Sequence, residues 1–283
     1  MRESLPRHPR ARGTARGSIA ALAALTLALT ACSGSDTGDG SEGAGETEAN
    51  GPAGELTVFA AASLTDVFEE IAASFEQQNP QVEITFNFAG SSELAQQINS
   101  GAPADVFAAA NTATMEQVVE GEGLDADWAA EHGEDGRVFV TNTLQIAVPP
   151  ENPAGVEGFA DLADEDVAVA FCAEEVPCGA ATLAALDSAD LDITPVTLEE
   201  DVRAVLTKVE LNEVDAGLVY ATDVISAEGR VEGLDFPEAE EAVNDYPIGV
   251  LGASGDPELA AAWVEFVTTE GAPVLQEAGF GTP

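Results

Sequence analysis

Cationic side chains are almost missing from this chain. Nine Lys and Arg stand against 52 Asp and Glu among 283 residues, which gives a formal net charge of −43. Five of the nine cations are Arg within the first 16 residues, so only Arg137, Arg203, Lys208 and Arg230 follow them. A surface this acidic repels the phosphates of nucleic acid and of anionic lipid. Nucleic acid is therefore excluded as a partner, and any bound anion must be captured by local dipoles, since the net charge repels it.

Histidine is also scarce, which leaves little material for catalysis or metal binding. His8 lies near the start, and His132 stands alone in a polar stretch. Neither a phosphate-binding glycine loop nor a G-x-S-x-G nucleophile turn is present, and "LGASGD" does not match the latter. The sequence predicts no enzyme, no metal site and no cofactor. A Ser-dependent hydrolase that uses His132 as its base remains the rival from another class.

No apolar run in the chain is long enough to span a membrane. Residues 1–17 are rich in Arg, residues 18–31 are apolar, and "LTAC" then ends at Cys32, a pattern typical of an export signal. The small residues before Cys32 resemble the bacterial lipoprotein processing box, in which this Cys is lipidated. Ordinary signal cleavage near Ala31 is the alternative. Residues 32–54 lack apolar periodicity and are predicted to form a flexible acidic tether on the outer face of the cell membrane.

The two other cysteines, Cys172 and Cys178, lie in "FCAEEVPCGAA". Outside the cytoplasm disulfides persist, so we expect these two to be bridged. A bridge across so short a loop stabilises the fold by about 2 kcal/mol in the chain-entropy model. A metal site that uses both cysteines lacks further ligands.

The folded part alternates between short apolar runs and segments of helical periodicity, as in βα units around a parallel sheet. Two long apolar segments, "VFVTNTLQIAVPP" and "YPIGVLGA", are suited to crossing between domains. The sequence therefore predicts an α/β fold of two lobes joined by two crossings. Lobe I would comprise residues 55–138 and 248–283, and lobe II residues 139–247. Ligands of such sheets lie beyond the carboxyl ends of the strands, here in the cleft.

Small and hydroxyl residues mark three junctions that precede helices. These are "AAASLTD" around Ser63, "AGSSEL" with Ser91 and Ser92, and "VPCGAA" with Cys178. Each alone is more often an ordinary helix cap than a binding site. Three of them in one two-lobed protein favour an anion site, because free N–H groups and the positive helix end attract negative charge. Arg203 is expected to be structural, paired with Glu199 or Glu200.

Several longer stretches together resemble the molybdate-binding component of bacterial ABC importers, from about residue 55 to residue 280. The most specific are A-A-A-S-L-T, S-S-x-x-L-A-x-Q-I, G-A-P-A-D-V-F and E-D-V-R…G-x-V-Y. The resemblance implies a periplasmic-binding-protein-like fold of type II that closes on molybdate or tungstate. It also implies delivery of the anion to a membrane permease by a monomer.

The same resemblance implies a set of neutral ligands. These are the hydroxyls of Ser63, Ser91 and Tyr220 and the backbone N–H groups of Ser63, Cys178 and Val202. Two residues depart from the family's pattern, since Gly90 stands where a further serine is common and Cys178 where alanine is common. A site with donors only leaves the proton of hydrogen phosphate unpaired and should reject that anion. Sulfate carries no proton, so a sulfate-binding protein of the same fold is the nearer alternative.

Overall fold

The computed structural model describes residues 51–283, which form two α/β lobes. The predicted signal segment 1–31 and the lipidation site Cys32 lie outside the described residues, as does most of the tether. Each lobe is built on one five-stranded sheet with helices packed on it. The predicted two-lobed α/β architecture is confirmed.

The sheet of lobe I has the order β2-β1-β3-β10-β4. Strands β1, β2 and β3 are mutually parallel, whereas β10 runs antiparallel to both β3 and β4. The strands are β1 (Gly54–Ala61), β2 (Val82–Ala89), β3 (Val106–Ala108), β4 (Arg137–Asn142) and β10 (Asn244–Val250).

The sheet of lobe II repeats this topology with the order β7-β6-β8-β5-β9. Strands β6, β7 and β8 are parallel, and β5 is antiparallel to β8 and β9. The strands are β5 (Leu144–Val148), β6 (Val169–Cys172), β7 (Thr197–Glu199), β8 (Ala216–Tyr220) and β9 (Glu232–Leu234).

The helices connect successive strands and cover the sheets. Most carry an apolar stripe at helical spacing, as in α1, where Val67, Phe68, Ile71, Ala72 and Phe75 are buried. The described helices are α1 (Thr65–Gln78), α2 (Ser91–Asn99), α3 (Thr112–Glu120), α4 (Ala126–His132), α5 (Pro177–Ala189), α6 (Val202–Glu210), α7 (Ala221–Ser226), α8 (Pro257–Thr268) and α9 (Ala272–Glu277). None of the helices within residues 51–283 is both long and apolar enough to cross a membrane.

The chain passes between the lobes at two points that lie side by side. One crossing follows Asn142, and the other precedes Asn244, and these two residues are paired across the β4–β10 ladder. The predicted lobe boundaries at 138/139 and 247/248 fall inside β4 and β10, which belong to the sheet of lobe I along their whole length. The segment predicted as a single long crossing is two strands, β4 and β5.

The core of lobe I is rich in aromatic side chains, and their packing holds in place the edge of the sheet that faces the cleft. Trp263 is fully buried, and its indole stands edge-on to Phe68, Phe75 and Phe86 at centroid distances of 5.5–6.1 Å. Edge-to-face aromatic contacts of this kind contribute about 0.5–1.5 kcal/mol each beyond area burial. This packing clamps α1 and α8 on the sheet and fixes the strand ends from which the cleft residues project.

Candidate functional site

The carboxyl ends of six parallel strands, three from each lobe, face the cleft. A cavity of about 20 Å³ lies there and is lined by residues that follow β1, β2 and β3 in lobe I and β6, β7 and β8 in lobe II. All five predicted ligand residues line it and are at most 4% exposed: Ser63, Ser91, Cys178, Val202 and Tyr220. Typical pockets for organic ligands measure about 300–1,000 Å³, so this cavity suits a compact solute of a few atoms.

Three helices begin at the cavity with free N–H groups. Ser91 is the first residue of α2, Val202 is the first of α6, and Cys178 is the second of α5, after Pro177. The first N–H groups of a helix have no partner within it, and they carry its positive partial charge. The cavity wall is therefore electropositive although the chain as a whole is strongly acidic.

Two acidic residues, Glu200 and Asp201, also line the cavity. The Asp201 carboxylate accepts the Ala204 N–H at 2.9 Å as the cap of α6. This bond uses the N–H group of the third residue of α6 and leaves the N–H group of the first residue, Val202, free. An anion in the cavity thus meets donors at the start of α6.

The three hydroxyl groups of the predicted set lie in hydrogen-bonded positions. Ser91 Oγ accepts the Ala110 N–H at 3.0 Å, and Ser63 Oγ lies 2.9 Å from Tyr246 Oη. Tyr220 Oη accepts a hydrogen from Asn244 Nδ2 at 3.1 Å. Burial raises the pKa of both Tyr220 and Tyr246 well above the ordinary value, so both phenols keep their proton.

The predicted disulfide joins Cys172 to Cys178, with the two Cα atoms 5.7 Å apart. It ties the end of β6 to the first turn of α5, where Cys178 lines the cavity. At the next residue, Gly179, a Cβ atom would lie 1.8 Å from the Ala173 carbonyl oxygen. The loop between strand and helix is thus folded too tightly for any side chain at that position.

Gly90 explains one departure from the family's pattern. A Cβ atom built at this position would lie 2.3 Å from the Glu200 carbonyl oxygen of the opposite lobe, closer than real Cβ atoms approach. The backbones of the two lobes therefore touch at Gly90 and Glu200. A residue with a side chain at position 90 would hold this pair of segments apart.

Arg203 also joins the lobes, but with partners other than those predicted. The expected pairing with Glu199 or Glu200 is wrong, since Glu199 lies near Lys208 instead. Arg203 contacts Asp223 in its own lobe and Asp66 in α1 of lobe I, each at 2.7 Å. Its guanidinium can reach both because it extends from the first turn of α6 toward the cleft.

Asp223 is fully buried behind this arginine. Burial raises the pKa of its carboxyl from 3.8 to about 6, and the Arg203 charge and the Tyr220 N–H bond oppose that shift. Asp223 thus anchors both Arg203 and the backbone of Tyr220, and it fixes the end of β8.

The remaining sequence candidates lie apart from the cavity or serve its closure. Ser92 donates its hydroxyl to the Glu175 carbonyl at 2.7 Å, which is a contact between the lobes. His132 ends α4, with its ring 4.8 Å from Trp128, in a surface pocket whose lining residues include no serine. Within residues 51–283 no group of three or more His, Cys, Asp or Glu side chains is arranged to hold a metal ion.

Sequence reasoning did not assign a role to Asn142, Asn244 or Tyr246. All three are buried next to the hydroxyl ligands without lining the cavity. One signal was available, because Tyr220 and Tyr246 are the only two tyrosines in the sequence. Their centroids lie 6.0 Å apart at the same site.

Comparison with known proteins supports a common family. A family model described as bacterial extracellular solute-binding protein matches residues 56–281. The curated relative "Molybdate-binding protein ModA" of Mycobacterium tuberculosis (strain ATCC 25618 / H37Rv) is 40% identical over 272 residues, which is 96% of this chain and 98% of the relative.

Two solved structures establish the fold. The sulfate-binding protein SubI from Mycobacterium tuberculosis H37Rv superposes with a TM-score of 0.69 at 17% identity, over 80% of this chain and 86% of its own. The periplasmic molybdate-binding protein of Azotobacter vinelandii gives a TM-score of 0.66 at 16% identity, over 81% and 99%. The predicted periplasmic-binding-protein-like fold is confirmed, and the two structures, named for different anions, do not distinguish between ligands.

Proposed function

Because this chain belongs to the bacterial extracellular solute-binding proteins, we propose that it captures molybdate or tungstate between its lobes and delivers it to an ABC importer. The observation that carries the proposal is the set of neutral donors from both lobes around one small buried cavity. The 40% identity to a relative named for molybdate supports the choice of anion.

The proposed contacts are those expected from the sequence. From lobe I, Ser63 donates through its hydroxyl and its backbone N–H, and Ser91 donates through its hydroxyl. Cys178 and Val202 donate their N–H groups from lobe II, and Tyr220 donates its hydroxyl. Hydrogen bonds to a charged group stabilise by about 1.5–3 kcal/mol each, so these six contacts together offset much of the cost of association.

Closure brings the two sets of donors together. Gly90 meets Glu200, Ser92 bonds to Glu175, and Arg203 contacts Asp66 across the cleft. The lobes would rotate about the paired crossings next to Asn142 and Asn244, as in hinge closure of other two-lobed binding proteins. The closed form is then the form that a permease receives.

Sulfate is the second candidate ligand, because the chain shares its fold with a sulfate-binding protein. Sulfate, molybdate and tungstate are all tetrahedral dianions without a proton at neutral pH, so donor chemistry alone treats them alike. Only the dimensions of the cavity separate sulfate from the larger anions.

Location and anchoring complete the proposal. Export with lipidation at Cys32 would hold the protein, as a monomer, on the outer face of the cell membrane. Expression of the full chain beside a Cys32→Ala variant tests this point. The wild type should fractionate with membranes and gain the mass of a lipid, whereas the variant should do neither.

The ligand is tested by titrating the chain without residues 1–32 with molybdate, tungstate, sulfate and hydrogen phosphate, and following the melting temperature and the heat. A ligand at a hundredfold excess over its Kd adds about 2.7 kcal/mol of stability. We expect stabilisation by molybdate and tungstate alone. Stabilisation by sulfate in their place would change the cargo, and no response to any of these anions would refute the proposal.

A further inference from the structure

Two buried asparagines stand at the crossings between the lobes. Asn142 is the last residue of β4, Asn244 is the first of β10, and both are 5% exposed or less. Neither lines the cavity. Their amides can therefore influence the proposed ligand residues without contacting the ligand.

The orientation of the Asn244 amide is fixed by a backbone group. Its Nδ2 lies 2.7 Å from the Ala110 carbonyl oxygen, which only accepts, so the atom at that position must be the nitrogen. The second hydrogen of Nδ2 points to Tyr220 Oη at 3.1 Å. Both amide hydrogens are thus used, and Tyr220 receives one of them.

The Asn142 amide is fixed in the same way at the other crossing. Its Oδ1 accepts the Thr143 N–H at 3.0 Å, which directs Nδ2 away from that bond. Nδ2 donates to Thr222 Oγ1 at 2.8 Å and reaches Tyr246 Oη at 3.5 Å. Since Tyr246 accepts this hydrogen, its own proton is available for Ser63 Oγ, 2.9 Å away.

A hydroxyl group has one hydrogen and two lone pairs, so a bond that it accepts uses a lone pair and leaves its hydrogen to be donated elsewhere. Tyr220 receives from Asn244, and Ser91 receives from the Ala110 N–H. Either hydroxyl of the Ser63–Tyr246 pair can donate, and the contact from Asn142 favours Tyr246 as the donor. Ser91 and Tyr220 can therefore direct their own hydrogens to the cavity, and Ser63 can do so when Tyr246 donates to it. None of them needs to present a lone pair to the ligand.

We propose that Asn142 and Asn244 are positioning residues that set the hydrogen-bond polarity of the binding hydroxyls, so that the cavity selects oxyanions without a proton. Hydrogen phosphate would meet hydrogens only, and its own proton would remain unpaired in a buried site. The inference deepens the proposed function and rests on it. It adds residues outside the ligand shell as determinants of selectivity.

The test replaces Asn244 by Asp, a side chain of the same shape. A carboxylate oxygen in place of Nδ2 accepts where the amide donated, so Tyr220 turns its hydrogen to residue 244 and a lone pair to the cavity. The Kd values for molybdate and for hydrogen phosphate are measured by calorimetry at pH 8, directly or by competition. We expect the molybdate Kd of Asn244→Asp to rise more than tenfold. The ratio of the hydrogen phosphate Kd to the molybdate Kd should fall at least tenfold.

Added charge is controlled by Asn111→Asp, which lies one residue beyond Ala110. Asn111 caps α3 by accepting the Thr114 N–H, and Asp keeps that bond, so only the charge changes. This variant should leave the Kd ratio within twofold of wild type. An equal loss for both anions in Asn244→Asp, with the ratio unchanged, would overturn the inference.

A double-mutant cycle separates positioning from a general disturbance. In a Tyr220→Phe background the Asn244→Asp change should no longer alter the ratio, because the hydroxyl it acts through is gone. A ratio change as large as in the wild-type background would contradict the mechanism. If Asn244→Asp does not fold, Asn142→Asp tests the same idea through Tyr246 and Ser63. The same fall in the ratio of the hydrogen phosphate Kd to the molybdate Kd is expected.

The wild-type measurement keeps the two proposals apart. A wild type that binds sulfate in place of molybdate changes the cargo, and the same ratio is then measured against sulfate. A wild type that binds none of the proton-free dianions would overturn the proposed function and this inference together. Binding with an unchanged ratio in both asparagine variants would overturn the inference alone.

Discussion

The two lobes share one topology but bring different chemistry to the cleft. In lobe I the strand ends are followed by Ser63 and Ser91, which line the cavity and carry side-chain hydroxyls. At the corresponding strand ends of lobe II stand Cys178 and Val202, which offer only backbone N–H groups. With the proposed contacts, lobe I would bind mainly through side chains, whereas lobe II would bind through two backbone N–H groups and the Tyr220 hydroxyl. Substitutions should therefore act differently on the two lobes.

The largest effect is expected from Ser91→Ala on the side-chain half. The change removes a donor to the anion and leaves the buried Ala110 N–H without its acceptor. A hydrogen bond to a charged group contributes about 1.5–3 kcal/mol, so the molybdate Kd should rise between tenfold and more than a hundredfold. Calorimetry beside Ser92→Ala, whose hydroxyl bonds to Glu175, provides the control, with an expected loss below tenfold. An unchanged Kd in Ser91→Ala would remove Ser91 from the site.

A pH titration should reveal the buried charge that supports lobe II. Asp223 is the only carboxylate among the fully buried polar side chains of residues 51–283. Its pKa, about 6 when folded against 3.8, means that the folded chain binds the extra proton between these values. Its contribution to stability is thus complete below about pH 4 and is lost as the pH rises through about 6.

The expected size of this loss is about 3 kcal/mol, from the two pKa values. Chemical unfolding of wild type and Asp223→Asn at pH 4 and pH 7 measures it, because other carboxylates contribute to both proteins alike. The stability of wild type relative to the variant should fall over that interval. A difference that stays constant with pH would mean that Asp223 is not shifted.

Removal of the disulfide tests whether binding through the backbone N–H groups of lobe II depends on the cysteine side chains. Replacing Cys172 and Cys178 together by Ala should lower the free energy of unfolding by about 2 kcal/mol, the chain-entropy value for so short a loop. The Cys178 N–H remains, so we expect the molybdate Kd to rise less than fivefold. Calorimetry after chemical reduction of wild type should give the same result. A hundredfold loss of affinity would show that the side-chain bridge, and not the helix start, makes that half of the site.

Gly90→Ala probes the contact at which the lobes meet. The added Cβ would press on the Glu200 carbonyl, so the closed form should be penalised while the open form is unaffected. We expect about a tenfold rise in the molybdate Kd with little change in the melting temperature without ligand. Gly158→Ala is the matched control, because a Cβ there meets nothing within 4 Å. Equal affinities for both variants would mean that the lobes do not close to this distance on the ligand.

Asp66→Asn should have the smallest effect. The side chain of Asp66 is 61% exposed, and solvent screens its ion pair with Arg203. Exposed pairs contribute about 0.2–1 kcal/mol, so the Kd should rise no more than about fivefold and less at high salt. Binding measured at low and at high ionic strength checks this. A loss above tenfold would identify the pair as a main determinant of closure.

Much of the fold was predictable because its signals are local. Apolar residues mark strands such as β1 and β2, and helical spacing followed by the Asn79-Pro80 pair marks α1. The strands β7 and β9 have three residues each and include Glu, so no apolar run marks them in the sequence. The exact crossings were also missed, because β4 and β10 continue in the sheet of lobe I by pairing with each other across about a hundred residues of sequence.

The residues of the candidate site likewise divide into those with a local sequence signal and those without one. The ligand residues follow strand ends and precede helices, so motifs reveal them one at a time. Asn142, Asn244 and Tyr246 act through partners distant in sequence, such as the Ser63–Tyr246 contact over 183 residues. No local pattern marks such a residue, because its role exists only once both crossings are paired. The partners of Arg203 were mispredicted for the same reason.

The small cavity with walls from both lobes has a consequence for the timing of release. In the proposed function, an anion held between Ser91 on one side and Val202 on the other would leave only after the lobes separate. The dissociation rate constant therefore cannot exceed the rate of opening, however weak the individual contacts are. Substitutions that loosen the contact at Gly90 and Glu200 should shorten the residence time of the anion before they change how fast it enters.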